Sequence, residues 1–451
     1  MTNETGYPNS TQSLCPVCLK RIPARREAAE GDVFLVKDCP EHGGFRSVIW
    51  RGEPSWESWV RPKTPAQIEV PLTEEIKGCP FDCGLCPAHR QHTCTALLEV
   101  TDRCNLHCSF CFAGSDGPSI DPSLGTVRGW YQRLLDSGGP CNIQLSGGEP
   151  TLRDDLPQLV ALGRCMGFSF IQLNTNGLRL ARDPRFLESL AKAGLSSVFL
   201  QFDGTQGDIH RRLRGGDFLA EKLAAVRRCG ELGIGVVLVP TVVPEVNDRN
   251  LGELVDLALQ LLPVVRGVHF QPVSYFGRFP EAGAPAEAGR DRMRITLPEI
   301  MAGLERQTAG RIRKEHFRPP GCENALCSFH GNFVLMPGGD MVATTRHAPC
   351  CGPLPAAGEG AARTRGFVST RWAASPGEGC GGTVKDSLDL FLARARTHAL
   401  SISGMAFQDA WTIDLERLRD CCIHTVAPDG RIIPFCAYNL TGSAGRPLYR
   451  C

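Results

Sequence analysis

The sequence predicts an α/β protein whose core is a partial (β/α)6 barrel, preceded by a small metal-binding knuckle and followed by a cysteine-rich C-terminal module. Three observations support this fold class. Apolar segments of strand length alternate with helix-length segments between residues 97 and 275. The chain carries 22 cysteines among 451 residues, far more than packing requires. Those cysteines concentrate before the alternating region, at its start and after it.

Residues 1–70 are predicted to form a small metal-binding unit. Cys15 and Cys18 form a C-x2-C pair, and Cys39 and His42 form a C-x2-H pair. This spacing predicts one tetrahedral ion, either Zn in a zinc-ribbon site or Fe in a rubredoxin-like site. A segment this short has little apolar core without a metal.

Residues 71–96 are predicted to form a loop-rich insert with a second metal site. Its four thiols belong to Cys79, Cys83, Cys86 and Cys94. Four thiolates predict a closed, coordinatively saturated iron–sulfur cluster suited to electron transfer. Structural zinc held by the same residues is the alternative, and His89 or His92 can then replace Cys94.

Residues 97–275 are predicted to form the barrel. The expected strands cover 97–101, 142–146, 169–174, 197–202, 235–241 and 267–273, and the expected helices cover 127–135, 155–166, 184–193, 218–232 and 251–262. Strands that are apolar throughout are typical of a parallel sheet covered by helices. In such a sheet ligands gather where the strands end.

Residues 276–451 are predicted to form the last module. It begins with a linker over 276–290, and its Gly/Ala/Pro-rich stretch 352–382 predicts an irregular loop without regular elements. Four of its cysteines predict a further four-thiolate cluster, with Cys421 as a substitute for its neighbour: Cys322, Cys327, Cys422 and Cys436. Cys350 and Cys351 are redox-active or substrate-facing cysteines or a spare pair of ligands, and the spacing does not decide among these roles.

Charge and hydropathy exclude several function classes. There are 49 Lys and Arg against 48 Asp and Glu, a net charge of +1, so nothing favours nucleic acid as a partner. The polar N-terminus lacks the pattern of a secretory signal, so we expect a cytoplasmic protein with reduced thiols. No transmembrane segment is predicted, although peripheral membrane contact is compatible with the sequence.

The strongest motif follows the first barrel strand, where a C-x3-C-x2-C loop carries Cys104, Cys108 and Cys111. Three thiolates can bind three irons of a [4Fe-4S] cube and leave the fourth iron open. From the spacing alone, structural zinc is the alternative. The Cys79 loop has the same spacing, but no strand precedes it, and Leu85 stands where Phe110 stands in the later loop.

Polar residues follow the next barrel strands. Gly147 and Gly148 allow the backbone to approach a ligand, and Glu149 can accept hydrogen bonds from an ammonium group, although such a segment is also typical of a simple turn. Asn174 and Asn176 end the third strand. We expect these side chains at one ligand-binding rim.

Asp203 ends the fourth strand, and Arg214 follows it in an Asp-Gly-x5-His-x3-Arg-Gly segment. An arginine at the rim can pair with a carboxylate. The alternative is a solvated basic loop, because Arg211 and Arg212 are adjacent.

The Cys104 loop resembles the cluster motif of radical SAM enzymes, down to Phe110 before the third cysteine. The resemblance implies a partial (β/α)6 radical SAM barrel whose open iron binds the amino and carboxylate groups of S-adenosylmethionine. An electron from the cluster then yields a 5′-deoxyadenosyl radical. Gly147, Gly148 and Glu149 are similar to the family's segment for the methionine amino group, and Arg214 lies in a segment similar to one in radical SAM maturases.

The whole pattern resembles the group of tetraether lipid synthases and dihydropterin methylases. The tail motifs that carry this likeness are residues 322–332, 421–424 and 433–439. The resemblance implies three [4Fe-4S] clusters, one SAM-binding and two auxiliary, plus one Zn or Fe ion. It implies a reductant such as ferredoxin or flavodoxin, and a lipid, pterin or other small-molecule substrate.

The resemblance implies abstraction of hydrogen from an unactivated C–H bond, for C–C bond formation or methylation. Two alternatives stay open at this stage. One is a radical SAM maturase of a peptide or protein. The other is a non-catalytic multi-zinc binding protein, which leaves the predicted barrel and the Gly147–Glu149 segment unexplained.

Overall fold

The structure, a computed structural model, describes residues 9–115, 120–280, 291–345, 354, 356–374 and 386–450. Cys350 and Cys351 lie outside these residues, and so does the greater part of the predicted linker, 281–290. Within the described ranges, no helix combines the length and the apolar character needed to cross a bilayer.

The N-terminal part is a four-stranded antiparallel sheet in the order β1-β2-β3-β4. Its strands are β1 (Ser10–Leu14), β2 (Arg21–Ala29), β3 (Asp32–Cys39) and β4 (Gly43–Arg51). Buried and exposed residues alternate along β2, as expected for a sheet with one face covered. Cys15 follows β1 and Cys39 ends β3, so both cysteine pairs lie at one end of this sheet.

The barrel is built from six parallel strands in the order β5-β6-β7-β8-β9-β11. They are β5 (Thr95–Thr101), β6 (Asn142–Gly147), β7 (Ile171–Thr175), β8 (Ser197–Gln201), β9 (Gly235–Val239) and β11 (Val265–Pro272), and the short β10 (Thr241–Val242) pairs with β11. Each predicted barrel strand overlaps an observed one. The predicted α/β fold class with a partial (β/α)6 barrel is confirmed.

The barrel helices cover the outer face of the sheet, and their ranges are α2 (Leu124–Asp136), α3 (Leu156–Cys165), α4 (Leu178–Arg182), α5 (Pro184–Lys192), α6 (Gly207–Arg214), α7 (Leu219–Glu231) and α8 (Leu251–Gln260). A short helix, α1 (Trp56–Trp59), precedes the barrel in the sequence. Ser123 caps α2 by accepting a hydrogen bond from the Thr126 N–H. Their apolar residues join those of the strands in one continuous core.

C-terminal strands extend the barrel sheet at both edges. On one side β14 (Ala399–Met405) lies parallel to β11 and is followed outward by β12 (Ser328–Leu335) and β13 (Met341–Ala343). On the other side β15 (Ile423–Val426) lies parallel to β5 and carries β16 (Ile432–Pro434). The sheet therefore continues beyond the six barrel strands, which the sequence did not predict.

The C-terminal helices are α9 (Leu297–Gln307), α10 (Ala357–Arg371), α11 (Ser387–Thr397), α12 (Leu415–Arg419) and α13 (Phe435–Asn439). Helix α10 lies inside the stretch 352–382, so the prediction of an irregular loop without regular elements is wrong. Gly360 packs so closely that an added Cβ would lie 2.1 Å from the Gly321 carbonyl oxygen. Packing of small residues here outweighs the low helix propensity of glycine.

A buried ion pair connects the N-terminal sheet to the C-terminal region. The Arg26 guanidinium donates to the Asp414 carboxylate at 2.6 and 2.8 Å, and the two side chains are 3% and 0% exposed. Thr11 also donates to Asp414, at 2.7 Å. Lys37, which is buried, donates to the carbonyl oxygen of Ala410 at 2.7 Å. These contacts attach the small sheet to a region close in space but remote in sequence.

Replacing Asp414 tests this attachment. We expect Asp414→Ala to lower the free energy of unfolding by about 3 kcal/mol, because it leaves the Arg26 charge buried without its partner. The matched control is Asp256→Ala, which removes a half-exposed ion pair with Arg311 and should cost less than about 1 kcal/mol. Denaturant titration of both variants gives the comparison. Equal effects would contradict the proposed anchoring role.

Candidate active site

A cavity of about 530 Å³ lies at the C-terminal ends of the barrel strands. Cys104, Cys108 and Cys111 line it, as do Phe110 and the Gly147–Glu149 segment. Asn174, Asn176 and Arg214 also line it. The structure therefore brings together at one cavity most of the rim residues that the sequence predicted.

Backbone hydrogen bonds hold the Cys104 loop against the end of β6. The Gly148 N–H donates to the Thr101 carbonyl at 2.8 Å, and the Glu149 N–H donates to the Arg103 carbonyl at 2.8 Å. A Cβ on Gly148 would lie 2.3 Å from the Arg103 carbonyl oxygen. A Cβ on Gly147 would lie 2.0 Å from that of Thr101. These two glycines therefore allow the end of β5 and the Cys104 loop to pack directly against the end of β6.

Glu149 is buried, and residues of this chain occupy both of its carboxylate oxygens. One oxygen accepts from the Thr151 N–H at 3.0 Å and from the Thr151 and Thr175 hydroxyls at 2.6 Å. The other accepts from the Asn176 N–H at 2.7 Å. The carboxylate thereby joins the ends of β6 and β7 at the rim where it was predicted to meet an ammonium group.

The residues just after β11 hold the other side of the Cys104 loop. Cys111 and Arg278 exchange backbone hydrogen bonds of 2.9 and 3.0 Å, and the Arg278 Nε donates to the Cys108 carbonyl at 2.9 Å. Gly277 adopts φ +52°, and a Cβ there would lie 2.5 Å from the Cys111 carbonyl oxygen. The prediction of a linker beginning at residue 276 is therefore wrong for this stretch. The sequence analysis missed Arg278, because a glycine followed by an arginine carries no recognisable motif.

Asp203 and Arg214 form a buried bidentate ion pair with two contacts of 2.7 Å. The remaining amino group of Arg214 donates to the Phe110 carbonyl at 3.2 Å. Burial opposes the charge of Arg214, but the Asp203 carboxylate outweighs it and raises the pKa of the guanidinium. Asp203 is absent from the cavity wall as far as the described residues define it. Asp203 positions Arg214, whereas the sequence predicted a direct contact between Asp203 and a cofactor.

Lys222 is a buried cation that the sequence reasoning missed. Its Nζ donates to the carbonyls of Asn176 at 3.0 Å and Gln201 at 2.6 Å. Burial lowers its pKa to about 8. The side chain ties the end of β7 to the end of β8. A lysine on an amphipathic helix gives no sequence signal for such a role.

The three thiols of the Cys104 loop fit an iron–sulfur cluster. They come from one short loop, Cys108 is buried, and Cys104 and Cys111 are half-buried at the cavity wall. Burial raises the pKa of Cys104 to about 11, so metal binding must displace its proton. Three thiolates on one side of a cavity leave the opposite side free for a ligand.

A second thiol set differs from the predicted grouping. The sulfur atoms of Cys94, Cys322 and Cys422 lie within 4.8 Å of one another and are buried. The Cys94 N–H donates to the Cys422 carbonyl at 2.8 Å, where β5 pairs with β15. The grouping of Cys94 with the Cys79 loop is therefore wrong. Strand pairing between residues remote in sequence decides the position of Cys94.

The predicted set of Cys322, Cys327, Cys422 and Cys436 is also divided. Cys322 and Cys422 lie with Cys94, and neither Cys327 nor Cys436 belongs to that group in the described part of the chain. Burial raises the pKa of Cys421, and Cys436 and Cys327 add to this effect. Cys421 is not among the thiols of the Cys94 group, and its Sγ donates to the Ile423 carbonyl at 3.1 Å. Cys421 therefore does not substitute for Cys422 in that group.

The Cys79 loop holds three buried thiols, those of Cys79, Cys83 and Cys86. A hydrogen bond from the Cys83 thiol lowers the pKa of Cys79. The Cys83 N–H donates to the Tyr449 hydroxyl at 3.0 Å. Asp82 accepts backbone hydrogen bonds from residues 76–78 and so closes the loop.

The N-terminal knuckle forms as predicted. The ligand atoms of Cys15, Cys18, Cys39 and His42 lie within 4.8 Å of one another. The His42 Nδ1 is 3.6 Å from the Cys15 sulfur and 3.4 Å from the Cys39 sulfur. Three thiols and one imidazole in this arrangement fit one tetrahedral ion.

The far wall of the cavity comes from residues without a predicted role. Helix α10 contributes Arg363 and Phe367, and Trp372 follows it. His269 of β11 and His330 of β12 also line the cavity. Single histidines and aromatic residues on strands carry no motif, and α10 was itself missed. Sequence spacing therefore gave no signal for this wall.

Comparisons with known proteins match two parts of the chain to families. Residues 98–258 match the model of the Radical SAM superfamily. Residues 7–51 match the model of the HMPTM N-terminal zinc ribbon domain. The first range contains the Cys104 loop and the strands β6 to β9. The second contains the four knuckle residues.

Three curated relatives are similar to this chain. A 7,8-dihydro-6-hydroxymethylpterin dimethyltransferase of Methanocaldococcus jannaschii is 35% identical over 481 aligned residues, 95% of this chain and 93% of the relative. A GTP 3′,8-cyclase of Alkaliphilus oremlandii is 27% identical over 45% of this chain and 61% of its own. An Fe-coproporphyrin III synthase of Methanosarcina barkeri is 35% identical over 36% and 40%.

A substitution at Gly148 tests the packing of the cluster loop. We expect Gly148→Ala to slow reductive cleavage of S-adenosylmethionine by about 100-fold, because the added methyl displaces the Arg103 carbonyl and the loop with it. The control is Gly129→Ala on the exposed face of α2, where a Cβ meets nothing within 4 Å. Formation of 5′-deoxyadenosine is measured for both. An active Gly148→Ala enzyme would refute the close-packing argument.

Iron analysis tests the regrouped thiols. We expect Cys94→Ala and Cys322→Ala to lose the same metal, so the double variant loses no more than either single one, because both thiols serve one site. If Cys94 instead belongs with the Cys79 loop and Cys322 with the other C-terminal cysteines, the two variants lose different metal centres and the double variant loses both. Iron and zinc are measured after anaerobic purification. The control is Cys165→Ala, which removes an exposed thiol and should leave the metal content unchanged.

Proposed function

Because the chain belongs to the radical SAM superfamily, in the group that includes the Methanocaldococcus jannaschii relative, we propose that it methylates a reduced pterin bound in the cavity, with S-adenosylmethionine as the source of the radical and a separate one-carbon donor as the source of the methyl group. The alignment that spans 95% of this chain and 93% of that relative carries the proposal. The chain is a radical SAM enzyme, so the alternative of a non-catalytic multi-zinc protein is wrong.

Cys104, Cys108 and Cys111 would hold the [4Fe-4S] cluster of this family. When bound, the cluster supplies an electron that cleaves S-adenosylmethionine. The chain fixes the position of this loop from two sides, through Gly148 and through Arg278. Positioning of this kind confines the reactive group to one place in the cavity.

Aromatic side chains keep water away from the cluster loop. Phe112 lies 5.7 Å from Phe407 and 6.0 Å from Phe435, measured between ring centroids, and the latter two rings are 4.5 Å apart. All three line the cavity beside Cys111. An apolar wall here excludes water from a reactive radical and so prevents side reactions.

The other thiol sets would hold auxiliary metal centres. Cys94 and Cys422 line the same cavity as the Cys104 loop. This position favours a redox centre close enough to exchange electrons with the substrate. The Cys79 loop is the second candidate for an auxiliary iron–sulfur cluster. The zinc of the N-terminal knuckle serves structure, because its ligands are a closed set of four.

The redox chemistry suggests where the enzyme works. Many unpaired thiols must stay reduced to bind iron, which favours the cytoplasm. A small reductant such as ferredoxin or flavodoxin would supply the electrons.

The assay that tests the proposal uses anaerobically reconstituted enzyme. With 7,8-dihydro-6-hydroxymethylpterin that carries deuterium on carbon, we expect deuterium in the 5′-deoxyadenosine, detected by mass spectrometry, because the radical abstracts hydrogen from a C–H bond of the substrate. Cells that express the chain should contain methylated pterins.

The controls are Cys104→Ala, which should give neither signal, and Cys165→Ala, which should give both. Cleavage of S-adenosylmethionine without deuterium transfer, and without methylated pterins in cells, would exclude this substrate.

A further inference from the structure

A row of amide and hydroxyl side chains crosses the inner face of the barrel. Gln144 of β6, Gln172 of β7 and Ser197 of β8 are Cα partners in register, and Gly235 of β9 is the next partner. Neighbouring strands place such residues side by side on one face. The three side chains are hydrogen-bonded to one another in sequence across the sheet.

One end of the row fixes the direction of every hydrogen bond in it. The Ser197 hydroxyl donates to the Gly235 backbone carbonyl at 3.1 Å, which can only accept. Ser197 therefore accepts from the Gln172 Nε2 at 3.2 Å, and Gln172 accepts from the Gln144 Nε2 at 2.8 Å. Gln144 then accepts from the Asn174 Nδ2 at 3.3 Å.

This order leaves the Asn174 Oδ1 as an acceptor at the cavity wall. The Oδ1 atom is buried and has no hydrogen-bond partner within the described part of the chain. The Gln201 Oε1 on the neighbouring strand is also buried and has no hydrogen-bond partner among the described residues. Both residues line the cavity. Buried acceptors without partners are rare and call for a ligand.

Aromatic side chains lie on the same face of the sheet as these two residues. Phe199 is the Cα partner of Asn174, and its ring centroid is 5.6 Å from that of Trp372. Both rings line the cavity. Aromatic rings of this kind pack on a flat heterocycle. The wall therefore combines hydrogen-bond acceptors with a stacking surface.

We propose that Asn174 and Gln201 form a substrate subsite that accepts hydrogen bonds from N–H groups, and that the substrate class is a 2-amino-4-oxo-pyrimidine ring. Such a ring presents a ring N–H and an amino group side by side. An alkyl chain offers no donor and would leave both oxygens buried without partners. The inference rests on the proposed function and names the part of the pterin that is recognised.

Binding of two ligands, measured without S-adenosylmethionine, tests the subsite. The ligands are 7,8-dihydro-6-hydroxymethylpterin and its lumazine counterpart, which carries oxygen in place of the 2-amino group. We expect the intact chain to bind the pterin at least about tenfold more tightly, because the lumazine oxygen faces an acceptor. Intrinsic fluorescence or calorimetry reports the dissociation constants.

Isosteric variants assign the effect to the two amides. Gln201→Met and Asn174→Leu should each weaken pterin binding by about tenfold or more, whereas Gln201→Glu keeps an acceptor oxygen and should lose less. Gln172→Leu should reduce the preference for pterin over lumazine, because Gln172 is a positioning residue that orients the row. A change in stability alone would not alter that ratio.

The outcomes separate the two proposals. Tight pterin binding that Gln201→Met and Asn174→Leu leave unchanged would overturn the subsite but not the pterin substrate. Equal binding of pterin and lumazine would do the same. Failure of the intact chain to bind either ligand would overturn both. Thermal melting of each variant identifies any that fails to fold, and Gln201→Glu then decides the assignment of Gln201.

Discussion

The exchange of backbone hydrogen bonds around the Cys104 loop is the constraint on which the site depends. The loop has no regular structure of its own, so its shape comes from segments on either side. Gly148 approaches it from the end of β6, and Arg278 approaches it from the end of β11. A cluster bound here would be fixed relative to the second and last strands of the barrel, because main-chain hydrogen bonds of Glu149 and Arg278 hold the loop on its two sides.

The extension of the sheet decides the metal chemistry outside this loop. Pairing of β15 with β5 places Cys422 beside Cys94, and the Gln91 amide donates to the carbonyl of Cys322 at 2.6 Å. Cys421 stays outside this group, although it adjoins Cys422 in the sequence. Of the two adjacent cysteines, Cys422 is the one that joins the Cys94 group and lines the cavity.

The cavity has two chemically different walls. Near Cys111 it is aromatic and excludes water, whereas the barrel face near Asn174 is lined by amides whose orientation is fixed. A radical needs the first environment, and a polar heterocycle needs the second. The two walls together suit a substrate that is polar along one edge and reacts at a carbon atom remote from that edge.

The sequence by itself determined the barrel, the knuckle and the cluster loop, because each is encoded by residues close together in the chain. Hydrophobic periodicity predicted the strands, and short cysteine spacing predicted the ligands of local sites. Only the tertiary structure decided the partners of Cys94, the role of Arg278, and the helix over 357–371. These depend on strand pairing and close packing between residues far apart in sequence, which leave no local pattern.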